Sequence, residues 1–486
     1  MMTRNDIRAL VYPLGIPLLG LGGMMMLCLI PSLHFYDGTA LPMFVCGLFT
    51  LAVGLAILGA VGKPKGRVDR RVPFLLVALI WLVLSFFGTL PFLATGSVTK
   101  FSDALFESMS GITSTGATIF SDVEHLPPSI LLWRSMSQWI GGFGIILMVL
   151  AFIPSLGINK YSLYTAEASG ADNSGKGTIT VSETIRRTLS IYILLTLVFV
   201  LLLRLTGMHI WDAVNLVFTN ISSGGFCIYN DSLASITHRQ QGILALAMFF
   251  SGINFSLLFY VLTFRFGKIR HKLDQFGFYL VVIVVGIAGV MLALHYAMDY
   301  SWKDSFRCSA VQTLSVLTTT GSLVEDTSFW WTPILFFYVI LSLCGGMAGS
   351  TSGGLKVMRV LILFRNVRNI LRNRLHPSAV NPVRLNGKPV SHPIINNVMV
   401  IFFVYLFTII LGVLLLMICG INATESFGAC IACITGYGPG LGASGGLGCY
   451  EAFTVSAKWI ASLLMLMGRL ECLTVIILLI PRFWKQ

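Results

Sequence analysis

The feature that most constrains this chain is a succession of apolar stretches, each about 20 residues or longer, separated by polar connections. Wound as a helix, such a stretch crosses the roughly 30 Å hydrocarbon core of a bilayer. Ten are legible, at about 10–33, 42–62, 73–95, 131–155, 187–207, 240–266, 276–298, 333–364, 394–419 and 453–481. The stretch at 333–364 is too long for one simple span and is interrupted at Gly345–Gly354. With 56% hydrophobic and only 11% charged residues, the chain has too few charges to cover a soluble surface. Membrane barrels alternate apolar and polar residues, so the unbroken runs argue for helices. The run after Arg4 and Arg8 reaches about Pro31, too long for a signal-peptide core, and reads as the first span.

Charge gives an orientation. Of the 33 Lys and Arg, 24 fall on the side of the N-terminus, seven on the other, and two, Lys356 and Arg469, within membrane segments. This bias predicts an even number of spans with both termini cytoplasmic. It also accounts for the net charge of +13 without a nucleic-acid partner. Thirteen of the 20 carboxylates face outward, which either concentrates cations there or is what the basic bias leaves over. Most of the ten cysteines lie in apolar runs, where the thiol acts as a small apolar group. Cys430 and Cys433 lack a second pair or nearby histidines and read as two turns of one helix face. Cys227 and Cys449 fall near the outer end, with no role legible.

Four outer connections share a pattern. Asp103 stands 13 residues before Gly116, Asp212 before Gly225 and Glu425 before Gly438; the third segment ends at Gly321 with Cys308 at the acid position. Each holds about ten weakly apolar residues ending in small or hydroxylated ones and a glycine. That is too short to span and too apolar for a free loop, and it suits a re-entrant half-helix. An acid near its start favours the N-terminus. Four such carbonyl-rich ends on one axis would replace a cation's hydration shell without a fixed charge. The glycine spacings of 109, 96 and 117 divide the chain into four repeats of span, half-helix and span. The expectation is an all-α membrane protein: a two-helix extension at 1–70, then repeats at 71–160, 161–270, 271–390 and 391–486.

These segments resemble the TrkH/KtrB/HKT superfamily of potassium transport proteins over nearly the whole chain. The resemblance rests on Phe106–Thr118, Gly141–Ile146, Gly353–Val357, His376–Ala379, Gly438–Gly442 and Gly468–Glu471, and on the two extra N-terminal spans that mark the TrkH branch. It implies potassium-selective translocation across a bacterial inner membrane, with filter carbonyls from Ser114, Thr115 and Gly116; Ser223, Gly224 and Gly225; Thr319, Thr320 and Gly321; and Gly436, Tyr437 and Gly438. Glycine rather than serine at position 116 implies potassium over sodium. It further implies a homodimer and a cytosolic TrkA-type nucleotide-binding ring, which the basic segment Arg359–Lys388 could meet; membrane lipid is the alternative for that segment. The K+ ion is cargo, and no organic cofactor is expected. Two departures are Gly436-Tyr437, where TrkH commonly has asparagine and leucine, and Cys227 just past the second filter.

Five glycines in ten residues make 345–354 a poor helix. Gly349 and Gly354 imitate a phosphate-binding loop, but Leu355 before Lys356 and Val357 after it break that signature. Gly345, Gly349 and Gly353, four apart, could instead serve close helix packing. The resemblance implies an intramembrane gate built from Gly345, Gly346, Gly349, Ser350, Thr351, Ser352, Gly353 and Gly354 with Arg469. A buried arginine could alternatively form a structural ion pair, with Glu471 or a carboxylate elsewhere, and Lys356 could snorkel to the inner surface. The rival function is a proton- or sodium-coupled secondary transporter, which would usually show inverted halves and polar groups deep in the spans. No nucleophile–base pair or paired carboxylates lie within the spans, so no enzymatic activity is expected.

Overall fold

The computed structural model describes residues 3–64, 68–69, 71–152, 181–265, 267, 269, 273–376 and 381–484. Several cations behind the charge asymmetry, such as Lys160 and Lys176, lie outside the described residues. So do the boundaries placed at 160/161 and 270/271, and Pro377–Ala379. Among the described residues the regular structure is helical apart from one two-residue pair, Arg384–Leu385 with Lys388–Pro389, closed by an Asn386-Gly387 turn, and an isolated bridge between Gly440 and Gly445.

Two N-terminal helical segments, Arg4–Phe35 and Ala40–Val61, pack through small residues: Gly15 faces the Gly54 carbonyl and Gly22 the Gly47 carbonyl, so the backbones meet closely. Each repeat then has a leading helix, a short pore helix and a trailing helix. The leading helices are Val72–Gly88, Val181–Leu205, Leu273–Met298 and His392–Ile418. The pore helices are Phe101–Ile112, Ile210–Ile221, Trp302–Leu317 and Ala423–Thr435. Six helical segments are each long and apolar enough to span a membrane among the described residues, and they carry an exposed belt that includes Leu197, Leu201, Val284, Phe403 and Ile410. An exposed apolar surface of that size is stable only against lipid or protein.

The trailing helices depart from expectation. Those of repeats 2 and 4, read as simple spans at 240–266 and 453–481, are sharply bent. His238–Ser251 meets Phe255–Leu262 at 103°, and Val455–Arg469 meets Leu473–Leu479 at 114°. The first break is held by Asn254, whose side chain accepts from the Leu257 amide and donates to the Ala348 carbonyl. The second passes through Glu471 and Cys472, both at positive φ. A single glycine nearby did not signal either break. In repeat 3 the expected interruption separates Thr332–Cys344 from Val357–Leu375. The repeat 1 helix, Pro128–Phe152, is continuous.

The third pore helix also corrects an expectation. It begins one turn earlier than Cys308 suggested and runs for 16 residues, so its N-terminal acid is Asp304. All four pore helices thus carry an acid, Asp103, Asp212, Asp304 or Glu425, at their third position, where it favours exposed amides and the positive end of the dipole. Ser301 and Asn422 cap the third and fourth by accepting from that acid's own amide.

Two cores flank the centre. One joins the N-terminal pair to repeats 1 and 4, the other joins repeats 2 and 3. Asp37 fastens the N-terminal pair to repeat 1. Burial pushes its pKa up, but hydrogen bonds from the Ser32 hydroxyl, the Thr39 hydroxyl and amide, and the Ser129 amide outweigh this and hold it at about 2. A free Asp titrates near about 3.9. The folded value is the lower one, so this stabilisation is complete above about pH 4 and is lost as pH falls toward 2. Asp37→Asn is therefore expected to lower the melting temperature at pH 7, with the gap to wild type roughly halved at pH 3 and closing only below about pH 2. An equal gap at both pH values in detergent contradicts this role.

Candidate functional site

The C-terminal ends of the four pore helices meet in a ring. In each, the amide of the residue just before the filter glycine bonds back to a carbonyl five residues earlier: Thr115 to Ser110 at 2.9 Å, Gly224 to Thr219 and Thr320 to Ser315 at 2.8 Å, Tyr437 to Ala432 at 3.0 Å. Backbone angles repeat as well. Ser114, Ser223, Thr319 and Gly436 have φ of 53°, 55°, 54° and 74°, and Gly116, Gly225, Gly321 and Gly438 have φ of 86°, 74°, 81° and 90°. The amides are thus spent on the helix, and the same alternation of backbone angles recurs at all four ends.

Closure of the ring follows from which carbonyl each glycine faces. Gly116 faces Gly224 O, Gly225 faces Thr320 O, Gly321 faces Tyr437 O and Gly438 faces Thr115 O. The order runs from repeat 1 to 2 to 3 to 4 and back to 1. At each joint a methyl group on the glycine would stand closer than 3.0 Å to the neighbouring repeat's carbonyl oxygen. Glycine is required here for its conformation and for its missing side chain. On the side where the pore helices begin, all four glycines open into a vestibule of about 80 Å³.

Polar bonds tie the ring from behind. Between repeats 1 and 2 lies a buried ion pair, Arg134 Nε to Glu107 Oε1 at 2.8 Å, with side chains 2% and 0% exposed. Arg134 also donates to Cys227 O and Thr118 Oγ1, and Glu107 accepts from the Ile119 amide. Gln138 Nε2 donates to Gly224 O at 2.8 Å. Between repeats 2 and 3, Ser322 Oγ donates to Asn220 Oδ1. Between 4 and 1, Tyr450 donates its hydroxyl to Gly438 O and its amide to Thr118 O. Asp103 accepts from Lys458 Nζ of repeat 4 at 2.9 Å.

On the opposite side of the ring lies the glycine-rich loop. Gly353 N donates to Thr319 Oγ1 at 2.7 Å and Gly354 N to Thr435 O at 3.0 Å. Thr351 Oγ1 contacts Ser223 Oγ at 2.6 Å and donates to Ile221 O. The loop's other flank fills the break in repeat 2: Met347 N donates to Gly252 O, and Phe255 N to Gly349 O. Ser350 and Ser352 hydroxyls meet at 2.7 Å, and Ser352 Oγ accepts from Gly346 N. Gly345 and Gly354 lie against each other at positive φ, closing the loop. Ser350, Thr351 and Ser352 are buried.

Arg469, the last residue of its helix, completes the contact. Its Nη1 donates to Thr351 O at 3.1 Å and its Nη2 to Gly141 O of repeat 1 at 2.9 Å. The guanidinium stands 5.7 Å from the Trp81 ring centre. Among the described residues no carboxylate pairs with it; Glu471, the partner weighed from sequence, is bound to Arg359 at 2.7 Å instead. Lys356, read as able to snorkel away, folds back onto the Ser352 carbonyl. Loop and arginine together touch all four repeats.

The residues singled out at the four pore-helix ends therefore meet in one ring, and the 345–354 loop and Arg469 lie against it. The acids Asp103, Asp212 and Glu425 sit at the far ends of their helices, away from the ring. Cys430 and Cys433 are both buried on the fourth pore helix. Sequence reasoning missed the Glu107–Arg134 pair, having placed both residues on the outer surface, and missed the Gln138 and Tyr450 ties. The one available signal was polar side chains in otherwise apolar segments flanking the filter.

A family model described as TrkH, cation transport protein, matches residues 43–486. The Trk system potassium uptake protein TrkH of Salmonella typhimurium is 33% identical over 99% of both chains, and that of Escherichia coli K12 is 32% identical over 99% of both. The crystal structure of the potassium transporter TrkH from Vibrio parahaemolyticus superimposes with a TM-score of 0.89 at 29% identity, covering 99% of this chain and 100% of that one.

Proposed function

This chain belongs to the TrkH family of cation transport proteins, and on that premise we propose that it is the pore-forming subunit of a potassium-uptake system, conducting K+ through the four-part ring. The observation that carries this is the cyclic order in which each filter glycine faces the next repeat's carbonyl. Such a ring presents oxygen dipoles and the negative ends of four helices to an ion, with no carboxylate in the ring itself. A monovalent cation can shed water there and still leave. Residues 114–116, 223–225, 319–321 and 436–438 act as the filter.

The loop at Gly345–Gly354 and Arg469 form the gate, and the conformation described is closed. The loop stands across the path, and a buried cation beneath the ring repels K+. The vestibule faces outward and both termini lie in the cytoplasm of a bacterial cell. The chain works as a homodimer with a cytosolic TrkA-type ring that meets the basic stretch around Arg359–Lys388 and supplies nucleotide control.

In liposomes, Arg469→Ala is expected to raise K+ flux several-fold, because the loop loses its bond through Thr351 O and the path loses a positive charge. Flux unaltered by Arg469→Ala, and by shortening within Gly346–Gly353, would remove the gate assignment. In cells stripped of their own potassium uptake, the wild-type chain is expected to restore K+ accumulation; no gain over empty vector contradicts the transport reading.

A further inference from the structure

We propose that Tyr437 is a specificity-determining positioning residue, and that the hydrogen bond to its hydroxyl sets the width of the ring between repeats 3 and 4. The proposal rests on the filter reading given above. The Tyr437 carbonyl is the oxygen that faces Gly321, so this residue forms the joint between the two repeats. Its hydroxyl accepts from Gln312 Nε2 at 3.2 Å. Gln312 lies on the third pore helix, and its Oε1 accepts from the Val324 amide at 3.2 Å, three residues beyond Gly321. One glutamine therefore holds both filter strands of this joint.

The other joints are tied differently. Arg134 and Gln138 reach backbone carbonyls of repeat 2, Asn220 bonds Ser322 outside the filter, and the Tyr450 amide bonds Thr118 O. Apart from the Ser223 contact with the loop residue Thr351, the tie at joint 3–4 is the one that passes through the side chain of a filter residue. Packing leaves a gap beside that strand. A narrow crevice of about 30 Å³ runs between Thr332–Cys344 and Ala423–Thr435, lined by Tyr437, Pro439, Tyr338 and Val339. With the hydroxyl bond removed, the strand can shift slightly toward that crevice, and its carbonyl moves with it. A looser cage discriminates less by ion size and field strength.

The test is the ratio of K+ to Na+ flux through purified protein in liposomes, for wild type, Tyr437→Phe, Gln312→Leu, the double variant and Tyr338→Phe. Tyr437→Phe removes one oxygen and keeps the ring that lines the crevice. Loss of one net hydrogen bond corresponds to a fall in the ratio of about three- to tenfold. Gln312→Leu is expected to fall at least as far, and the double variant to match Gln312→Leu, because the two act through one bond. Tyr338→Phe, on the other wall, is expected to keep the wild-type ratio. A selective wild type with an unchanged ratio in Tyr437→Phe, or single effects that multiply in the double variant, overturns this proposal and leaves the filter reading standing. A wild type that shows no preference for K+ overturns both.

Discussion

Gly225→Ala is expected to abolish potassium transport while leaving a protein that still purifies as a folded membrane protein. Two costs add at that position. Its φ of 74° is left-handed, which disfavours a residue with a side chain by about 1–2 kcal/mol. The new methyl would also stand closer than 3.0 Å to the Thr320 carbonyl of the next repeat, and that neighbour is backbone and cannot rotate aside. The clash is relieved by moving the carbonyl that the ion needs. Flux per purified protein is expected to fall at least about a hundredfold, since near-ideal placement of coordinating groups is what such a site depends on. Gly321→Ala, facing Tyr437 O, should behave alike. Alanine at Gly242, which has open space around it and an ordinary helical backbone, is the matched control. Wild-type flux in Gly225→Ala would mean that the ring is not the path.

The second large effect concerns stability. Arg134 and Glu107 are almost fully buried and hold the segments just past the ring in repeats 1 and 2 through Thr118, Ile119 and Cys227. The guanidinium also lies 4.2 Å from the Phe226 ring centre. Glu107→Ala leaves a buried cation without its carboxylate, which costs about 3–5 kcal/mol. The double variant Glu107→Leu with Arg134→Leu removes both charges and is expected to recover part of that loss. Thermal unfolding in detergent distinguishes the cases. A Glu107→Ala protein as stable as wild type would show that the pair does not hold the two strands together.

Much of the four-fold repeat was legible in the sequence because its signals are local. Thirteen residues from an acid to a glycine is one half-helix, and the pattern at Gly116, Gly225 and Gly438 exposed the repeat without any long-range information. The third repeat strained that rule, since four extra residues moved the acid from position 308 to Asp304. Gly436 is another local signal: it occupies a place where the other repeats have Ser or Thr at positive φ, so the fourth repeat keeps the same backbone with a different residue. The loop at 345–354 was conspicuous through its glycines.

What escaped was tertiary. The bends after Ser251 and Arg469 are stabilised by groups more than 90 residues away, such as Ala348 and Thr351. No window of sequence contains both partners. Glu107 and Arg134 looked like outer-surface charges because span boundaries set by hydropathy cannot tell a residue facing water from one facing its counterion. Asp103 was read as a helix-start acid and is also the partner of Lys458, 355 residues on.

Conduction and selection of potassium by the ring can be measured directly. The direct measurement is K+ and Na+ flux under equal gradients in liposomes holding the purified protein, with no proton gradient imposed. It is made for wild type and Arg469→Ala so that a closed gate does not hide conduction. K+ flux well above Na+ flux is expected in both, and larger in Arg469→Ala. Equal fluxes of the two ions, or K+ movement only when a proton gradient is applied, would contradict this reading.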